Sequence, residues 1–504
     1  MVLGCDLLPS YNPAHHVADS LTQSPHAEFR GGAQAAPPWA LLGVCVALGL
    51  GLRFLLWSLA GPIELQSDEA NYLHLAVQWE YLGFYPDNYR FLWPPGYPAY
   101  LRLCIQMFGE GALDAARVGQ ILASSSIGLC TGLLGWRLFG RRAAILACAG
   151  WALYLPMAAF THLLWNETLF LALFLPSLYQ LLVVAQSARE ESTTRRLLIS
   201  GVCFAAALYI KEAATYLLPV WMLLLALASN LGPSLEGLRR SALFGLTVLA
   251  CILPWSLRNK EVYGELIPLG SSLGENAFNG LNASYRNFDL IPLEGARARA
   301  GQGPFSIRAS LNAAPQGSRS WKRAEEIASL PARSAENTRR GLSFAAKHPA
   351  WFLRSRVQKL SDVVVPTTFL TRHLALGHYG GALGNGLRPI VAWGSALEVV
   401  LLLLLGGAGL LGSLPAGVAR RLAWITVAYF LATAALVAMS RFRLPWVPLL
   451  LAGFGGLVSS GPPKLAYPRA RVAAWCAALF IAWWINAPVL AEVWSMVLGQ
   501  GAPA

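Results

Sequence analysis

Residues 38–60 read PWALLGVCVALGLGLRFLLWSLA. A helix over this run, rising about 1.5 Å per residue, is long enough to cross the roughly 30 Å hydrocarbon core of a bilayer. Ten further apolar runs follow, at about 112–138, 143–160, 164–186, 196–212, 214–230, 241–256, 390–412, 422–439, 444–460 and 472–492. The sequence therefore predicts an all-α polytopic membrane protein. About eleven transmembrane helices are expected (range 9–13), with outward-facing interfacial helices and loops between them.

Composition agrees. Of 504 residues, 55% are apolar and only 13% are Asp, Glu, Lys or Arg, about half the roughly 25% charged content of a soluble domain. So few charges cannot coat a soluble surface of this size, and the apolar content excludes disorder as the main state. The net charge is +13, which suits nucleic acid, an anionic membrane or a phosphate-bearing substrate. Its placement favours the membrane. Arg137, Arg141 and Arg142; Arg189, Arg195 and Arg196; Arg239 and Arg240; Arg420 and Arg421; and Lys464, Arg469 and Arg471 all fall in loops on one side if the spans alternate. The positive-inside rule makes that side cytoplasmic, with the N-terminus there and the C-terminus outside. No nucleic-acid partner is expected. Cys5, Cys45, Cys104, Cys130, Cys148, Cys203, Cys251 and Cys476 show no CxxC spacing, so neither a disulfide framework nor a zinc site is expected.

The chain divides into a mobile cytoplasmic tail (1–37), read as such because it lacks a signal-peptide pattern, and a transmembrane module (38–256) that includes a first outward loop (61–111). An outward loop region with interfacial helices (257–389) and the C-terminal transmembrane helices (390–504) complete it.

The first outward loop opens with Ser67-Asp68-Glu69-Ala70-Asn71-Tyr72. Ser67 can cap a helix whose dipole the two carboxylates complement, and Tyr72, Leu75, Ala76 and Trp79 then fall at helical spacing. Equally, the carboxylates can supply a general base at the membrane surface. Arg90-Phe-Leu-Trp-Pro-Pro-Gly-Tyr97-Pro98 follows. Its prolines exclude a regular helix within the motif and stiffen a turn that carries interfacial aromatics. Lys211-Glu212 ends the fifth run: an ionisable pair near membrane depth reads either as a functional site or as a snorkelling lysine beside its partner. Glu167, in His162-Leu-Leu-Trp-Asn-Glu167-Thr168, begins the fourth run, where an acid also suits a helix start. Arg258 ends the seventh run, and Arg441 and Arg443 lie between the ninth and tenth. All three are outward, against the positive-inside trend, either in contact with lipid headgroups or set to grip phosphate.

Taken in order, these pieces resemble the C-type membrane glycosyltransferases, nearest to the protein O-mannosyltransferase and lipid A aminoarabinose transferase group (glycosyltransferase family 39). The resemblance runs through Asp68-Glu69, PPGYP at 94–98, Asn-Glu-Thr-Leu-Phe at 166–170 and Gly201 to Lys211-Glu212. It continues through LPWSLRNKEVYGELIPL at 253–269 with Asn276 and Asn279 close by, AAKHPAWFLRSRVQKL at 345–360, and RFRLPWVPLL at 441–450. One departure is Trp93, where relatives often carry a phosphate-binding Lys or Arg before the double proline. Arg90 lies three residues earlier.

The resemblance implies a polyprenyl-phosphate-linked sugar donor and an inverting transfer to a lipid, glycan or protein acceptor on the outer face of the plasma (inner) membrane. Module 38–256 is then the catalytic one. Asp68 is the implied base, with Glu69 supporting its orientation or a cation. Arg90, Lys211, Arg258, Arg441 and Arg443 are candidate contacts for the donor phosphate. Glu167 and Tyr97 are candidate substrate contacts. A divalent cation is compatible, but no ligand cluster demands one. Membrane lipids are the other partners. The same hydropathy also fits a lipid or sugar transporter or flippase without catalysis, although such proteins often show inverted repeats around midplane charges and none is visible. A non-catalytic relative that binds a polyprenyl lipid is a third reading.

Overall fold

The structure, a computed structural model, describes residues 36–61, 63, 65, 68–86, 93–186, 193–227, 234–270, 272–281, 330–414, 417–436, 440–460 and 466–499. Ser67, Arg90, Cys5, nearly all of the 1–37 tail and the stretch 282–329 lie outside the described residues. Among the described residues the only β pairing is one isolated bridge, between Ile63 and Tyr379.

The first half runs through α1 (Trp39–Ala60), α2 (Asp68–Leu82), α3 (Gly96–Phe108), α4 (Ala112–Phe139), α5 (Arg141–Leu153), α6 (Leu155–Ala159), α7 (Glu167–Gln186), α8 (Thr193–Ile210), α9 (Leu217–Ala226) and α10 (Leu235–Tyr263). Then come α11 (Ser272–Leu281), α12 (Leu330–Lys347), α13 (Pro349–Val363), α14 (Phe369–Leu376) and α15 (Arg388–Leu401). The last part holds α16 (Gly407–Ser413), α17 (Val418–Leu436), a 3-10 turn (Ser440–Trp446), α18 (Val447–Ser460), α19 (Ala466–Ile485) and α20 (Ala487–Val497).

Among the described residues seven helical stretches are long and apolar enough to cross a membrane, or up to eight with the pair 469–485 and 487–497, bent by 66°. The protein is a multi-pass, all-helical membrane protein. Helices occupy all eleven expected places, but three fall short of that standard. The run at 143–160 is broken at Tyr154, and α5 has 13 residues, about 20 Å of rise. The break is stabilised from distant sequence. Arg53 donates to the last carbonyls of α5, Trp151 (3.2 Å) and Ala152 (3.4 Å), while Glu398 Oε2 accepts from the Leu155 N–H that opens α6, at 2.8 Å. The run at 214–230 yields only the ten-residue α9. At 422–439 stands α17, 19 residues with Arg420 and Arg421 in its first turn.

The stretch 61–111, expected as an outward loop, contains more helix than expected. α2 starts at Asp68, and α3 begins directly after Pro94-Pro95, with Pro98 in its first turn. Proline is tolerated there because the first N–H groups of a helix have no intrahelical partner to lose.

Two close approaches set the packing. Trp151, fully buried, lies against Gly49 of α1 and Gly128 of α4, where an added Cβ would come within 2.5 Å and 2.3 Å of its ring. Around α7 the core is aromatic: Phe174 stacks on Trp221 at 5.5 Å and meets Phe430 edge-on at 5.5 Å, offset and edge-on geometries that suit the ring quadrupole. The seven described cysteines are free thiols.

Candidate functional site

Four charged side chains from four separate elements meet at helix ends. Asp68 and Glu167 occupy the first turns of α2 and α7, where the helix dipole favours negative charge. Lys211 stands in extended conformation just past α8. Arg441 comes from the 3-10 turn before α18.

Arg441 is the hub. Both its terminal nitrogens lie 3.3 Å from Asp68 Oδ2, and one is 3.6 Å from Glu167 Oε1. Its guanidinium carbon sits 4.2 Å from the centre of the Trp165 ring, a cation–π arrangement. Glu167 Oε1 also accepts from Lys211 Nζ at 2.7 Å. Two carboxylates thus balance two cations. The cluster is graded in depth: the side chain of Glu167 is 3% exposed, Arg441 12%, Lys211 17% and Asp68 26%. Asp68 is therefore the member that a bound molecule can reach most readily. Glu167 Oε2 is buried without a hydrogen-bond partner among the described residues, so one carboxylate oxygen at the bottom of the site still has capacity to accept.

Tyr72, one turn along α2 from Asp68, forms a wall. Its hydroxyl accepts from Asn166 Nδ2 at 2.8 Å, and its ring packs on Trp93 and Tyr97 with centroids 4.5 Å and 4.9 Å away. Burial, and then the charges of Asp68 and Glu167, push the Tyr72 phenol well above its ordinary range, so it stays protonated. Gly96 lets α3 start against the end of α8. A Cβ there would stand 2.6 Å from the Tyr209 carbonyl oxygen, two residues before Lys211, so the PPGYP turn bears on where Lys211 stands.

The loop 160–166, which delivers Trp165, Asn166 and Glu167, is held from below. Gln120 Nε2 donates to the Thr161 and Leu163 carbonyls at 3.1 Å and 2.9 Å, and Arg117 Nε to that of His162 at 3.1 Å. Glu69, fully buried, accepts the Leu164 N–H at 2.6 Å.

Of the residues singled out from sequence, the structure gathers Asp68, Glu167, Lys211 and Arg441. It separates the others. Glu69 points into the loop anchor, about 100° around α2 from Asp68. Tyr97 is fully buried and donates to Gln120 Oε1 at 2.9 Å. Arg258 lies over Trp255 with 4.9 Å to the ring centre and donates to the Tyr85 carbonyl at 3.0 Å. Arg443 is 2% exposed and donates to the Val363, Val365 and Thr367 carbonyls at 3.3, 2.6 and 2.6 Å. Arg90 lies outside the described residues. Sequence reasoning gave Trp165 and Asn166 no place in the site. Trp165 was signalled by adjacency to Glu167, and Asn166 also by opening the Asn-Glu-Thr-Leu-Phe motif at 166–170. Tyr72 was read only as part of an interfacial face, although its spacing of four from Asp68 puts both on one side of α2. Among the described residues no group of three or more His, Cys, Asp or Glu side chains could hold a metal ion.

Residues 93–257, about a third of the chain, match the family described as dolichyl-phosphate-mannose-protein mannosyltransferase, in keeping with the resemblance drawn from the motifs. The match includes Glu167 and Lys211 and stops short of Asp68 and Arg441. Among solved structures, the oligosaccharyltransferase AglB of Archaeoglobus fulgidus, in complex with an inhibitory peptide and a dolichol-phosphate, is 15% identical with a TM-score of 0.49. The alignment covers 92% of this chain and 56% of that one, so the chain spans little more than half the length of the archaeal enzyme. ArnT from Cupriavidus metallidurans bound to undecaprenyl phosphate is 17% identical with a TM-score of 0.39, over 84% of this chain and 79% of that one. No curated protein sequence matches the chain significantly.

Proposed function

We propose that the protein is a membrane glycosyltransferase that moves a monosaccharide from a polyprenyl-phosphate donor to a lipid, glycan or protein acceptor. The observation that carries this reading is the convergence of Asp68, Glu167, Lys211 and Arg441 in one graded cluster. The family match over 93–257 supports the donor class. The one-sided basic loops support a site facing away from the cytoplasm, in a plasma (inner) membrane.

In the proposed reaction an acceptor hydroxyl or amine attacks the anomeric carbon from the face opposite the phosphate. The new bond to C1 forms as the C1–O bond to phosphate breaks, inverting the configuration. The bonding pair leaves with polyprenyl phosphate, and the acceptor proton passes to Asp68, the most exposed carboxylate of the cluster. Negative charge grows on the leaving phosphate. Lys211 and Arg441, fixed beforehand by Glu167 and Trp165, meet it without reorganising. Glu167 orients the cations from below, and its unpartnered Oε2 can take a hydroxyl of the sugar or acceptor. Glu69, Arg443 and Tyr97 act by holding the frame, and Arg258 is engaged by the Tyr85 carbonyl and the Trp255 ring.

The test is to incubate detergent-purified protein with a panel of polyprenyl-phosphate sugars and acceptors and to follow free polyprenyl phosphate. Release by the wild type that Asp68→Asn abolishes supports the proposal. No release from any donor by folded protein overturns it in favour of a transporter or of a non-catalytic lipid-binding protein.

A further inference from the structure

The segment that carries Arg441 is gripped from both ends through α13. The C-terminal end of α11 abuts that of α17, so closely that a Cβ on Gly280 would stand 2.2 Å from the Leu436 carbonyl oxygen. Two helix C-termini in contact bring together carbonyls without intrahelical partners and two negative dipole ends. Two cations spaced three apart on α13, and so on one face of it, answer them. Lys359 Nζ donates to the Gly280 carbonyl at 3.1 Å and to that of Leu436 at 2.9 Å. Arg356 donates to the Ala435 and Gly280 carbonyls. In return, Arg443 donates to the Val363, Val365 and Thr367 carbonyls, at the C-terminal end of α13 and just beyond it. α13 thus holds the chain shortly before Arg441, and Arg443 shortly after Arg441 holds α13.

We propose that Arg356 and Lys359 are positioning residues for the transfer reaction: with Arg443 they close a reciprocal clasp that sets the aim of Arg441 at Asp68 and Glu167. This rests on the reading of the Arg441 cluster as the transfer site. Burial, then the charge of Arg356, push the Lys359 ammonium down to about 8 against the opposing pull of Asp362. At neutral pH it therefore meets the carbonyls as a cation. The clasp also joins the 257–389 region, through α11 and α13, to the chain on either side of Arg441.

The experiment uses the full chain in detergent, as wild type and as Lys359→Met, Lys359→Arg, Arg441→Lys and the double variant Lys359→Met/Arg441→Lys. Hydrogen exchange at the amides of 440–446 reads the clasp directly. It should quicken in Lys359→Met and return to the wild-type rate in Lys359→Arg. Unchanged exchange in Lys359→Met overturns the clasp. Release of polyprenyl phosphate reads its consequence. Lys359→Met should slow turnover roughly tenfold in the wild-type background but by less than about twofold beside Arg441→Lys, because an effect routed through Arg441 cannot be lost twice. Equal losses in both backgrounds mean general destabilisation and overturn the positioning role. If the wild type releases nothing from any donor, the transferase reading fails by itself, and the exchange result still decides the clasp.

Discussion

Arg441 and Arg443 stand two residues apart in one 3-10 turn, and their surroundings differ in kind. Arg441, its side chain 12% exposed, meets carboxylates: Asp68 at 3.3 Å and Glu167 at 3.6 Å. Arg443 is 2% exposed and meets three backbone carbonyls. Carboxylates are formal charges whose hold on a guanidinium a phosphate can share or replace. Backbone carbonyls are neutral, fixed by the chain, and cost free energy when left without donors. On the proposed reading the same residue type serves chemistry at one position and architecture at the other, and the partners distinguish them.

The contrast is broken or sharpened most strongly by a crossed pair of substitutions. Arg441→Gln should lower turnover by about 10²–10³-fold, the cost of losing one preorganised group at a developing charge. Its folding stability should change by no more than about 1 kcal/mol, since Glu167 keeps Lys211 and Asp68 is partly solvated. Arg443→Gln should reverse the balance, losing about 3–5 kcal/mol of stability by stripping donors from buried carbonyls, while the protein that remains folded at low temperature loses only about tenfold in turnover, the share that goes with the clasp. Thermal melting in detergent beside release of polyprenyl phosphate measures both. A stable, inactive Arg443→Gln would put Arg443 back among the phosphate contacts.

The adjacent carboxylates make a similar pair with a smaller expected difference. In Glu69→Gln the amide oxygen can still accept the Leu164 N–H that Glu69 now holds at 2.6 Å. Turnover should fall by less than about tenfold, against the roughly 10²–10⁴-fold expected where a general base is removed in Asp68→Asn. Equal losses would show that the two carboxylates share the proton-accepting role.

Such distinctions mark where the sequence stops being readable. Apolar runs placed the membrane helices, because length and apolarity are local properties. Asp68, Glu167, Lys211 and Arg441 were each visible as charges at the ends of such runs. Their meeting was not, since it joins α2, α7, the end of α8 and the turn before α18. Nor could local pattern assign Asp68 and Glu69, or Arg441 and Arg443, to different faces of their elements. The break at Tyr154 was hidden for the same reason. It depends on Arg53, about a hundred residues earlier, and on Glu398, 243 residues away from Leu155. The helix α3 was missed on local grounds, because three prolines in five residues read as a turn when two of them precede the helix and the third lies in its tolerant first turn.

The smallest effect concerns what both arginine regions rest on. His162 lies in the loop that delivers Trp165 and Glu167, and its Nε2 meets the Tyr379 hydroxyl at 3.1 Å. His373 lies in α14, just beyond the Thr367 carbonyl that Arg443 holds, with Nδ1 donating to the Phe369 carbonyl at 2.8 Å and its ring 5.2 Å from that of His378. Burial, then the nearby charge of Arg117, pushes His162 down to about 3. Burial and Arg372 push His378 down to about 4, and burial first of all lowers His373 as well. A histidine whose folded-state pKa lies below its unfolded value takes up its proton first in the unfolded chain. Stability is then complete above the unfolded value near 6.5 and declines as pH falls towards 4 and 3, by up to about 1.4 kcal/mol per pH unit for each group. The contribution of these histidines to the melting temperature in detergent should therefore be level from pH 8 to 6.5 and fall between 6.5 and about 5, before ordinary carboxylates protonate. Arg443→Gln, weakened beside His373, should begin its loss of folded protein at a higher pH than Arg441→Gln. A melting temperature that stays level down to about pH 5 would mean that these imidazoles protonate without unfolding, and that the loop and α14 do not depend on their remaining neutral.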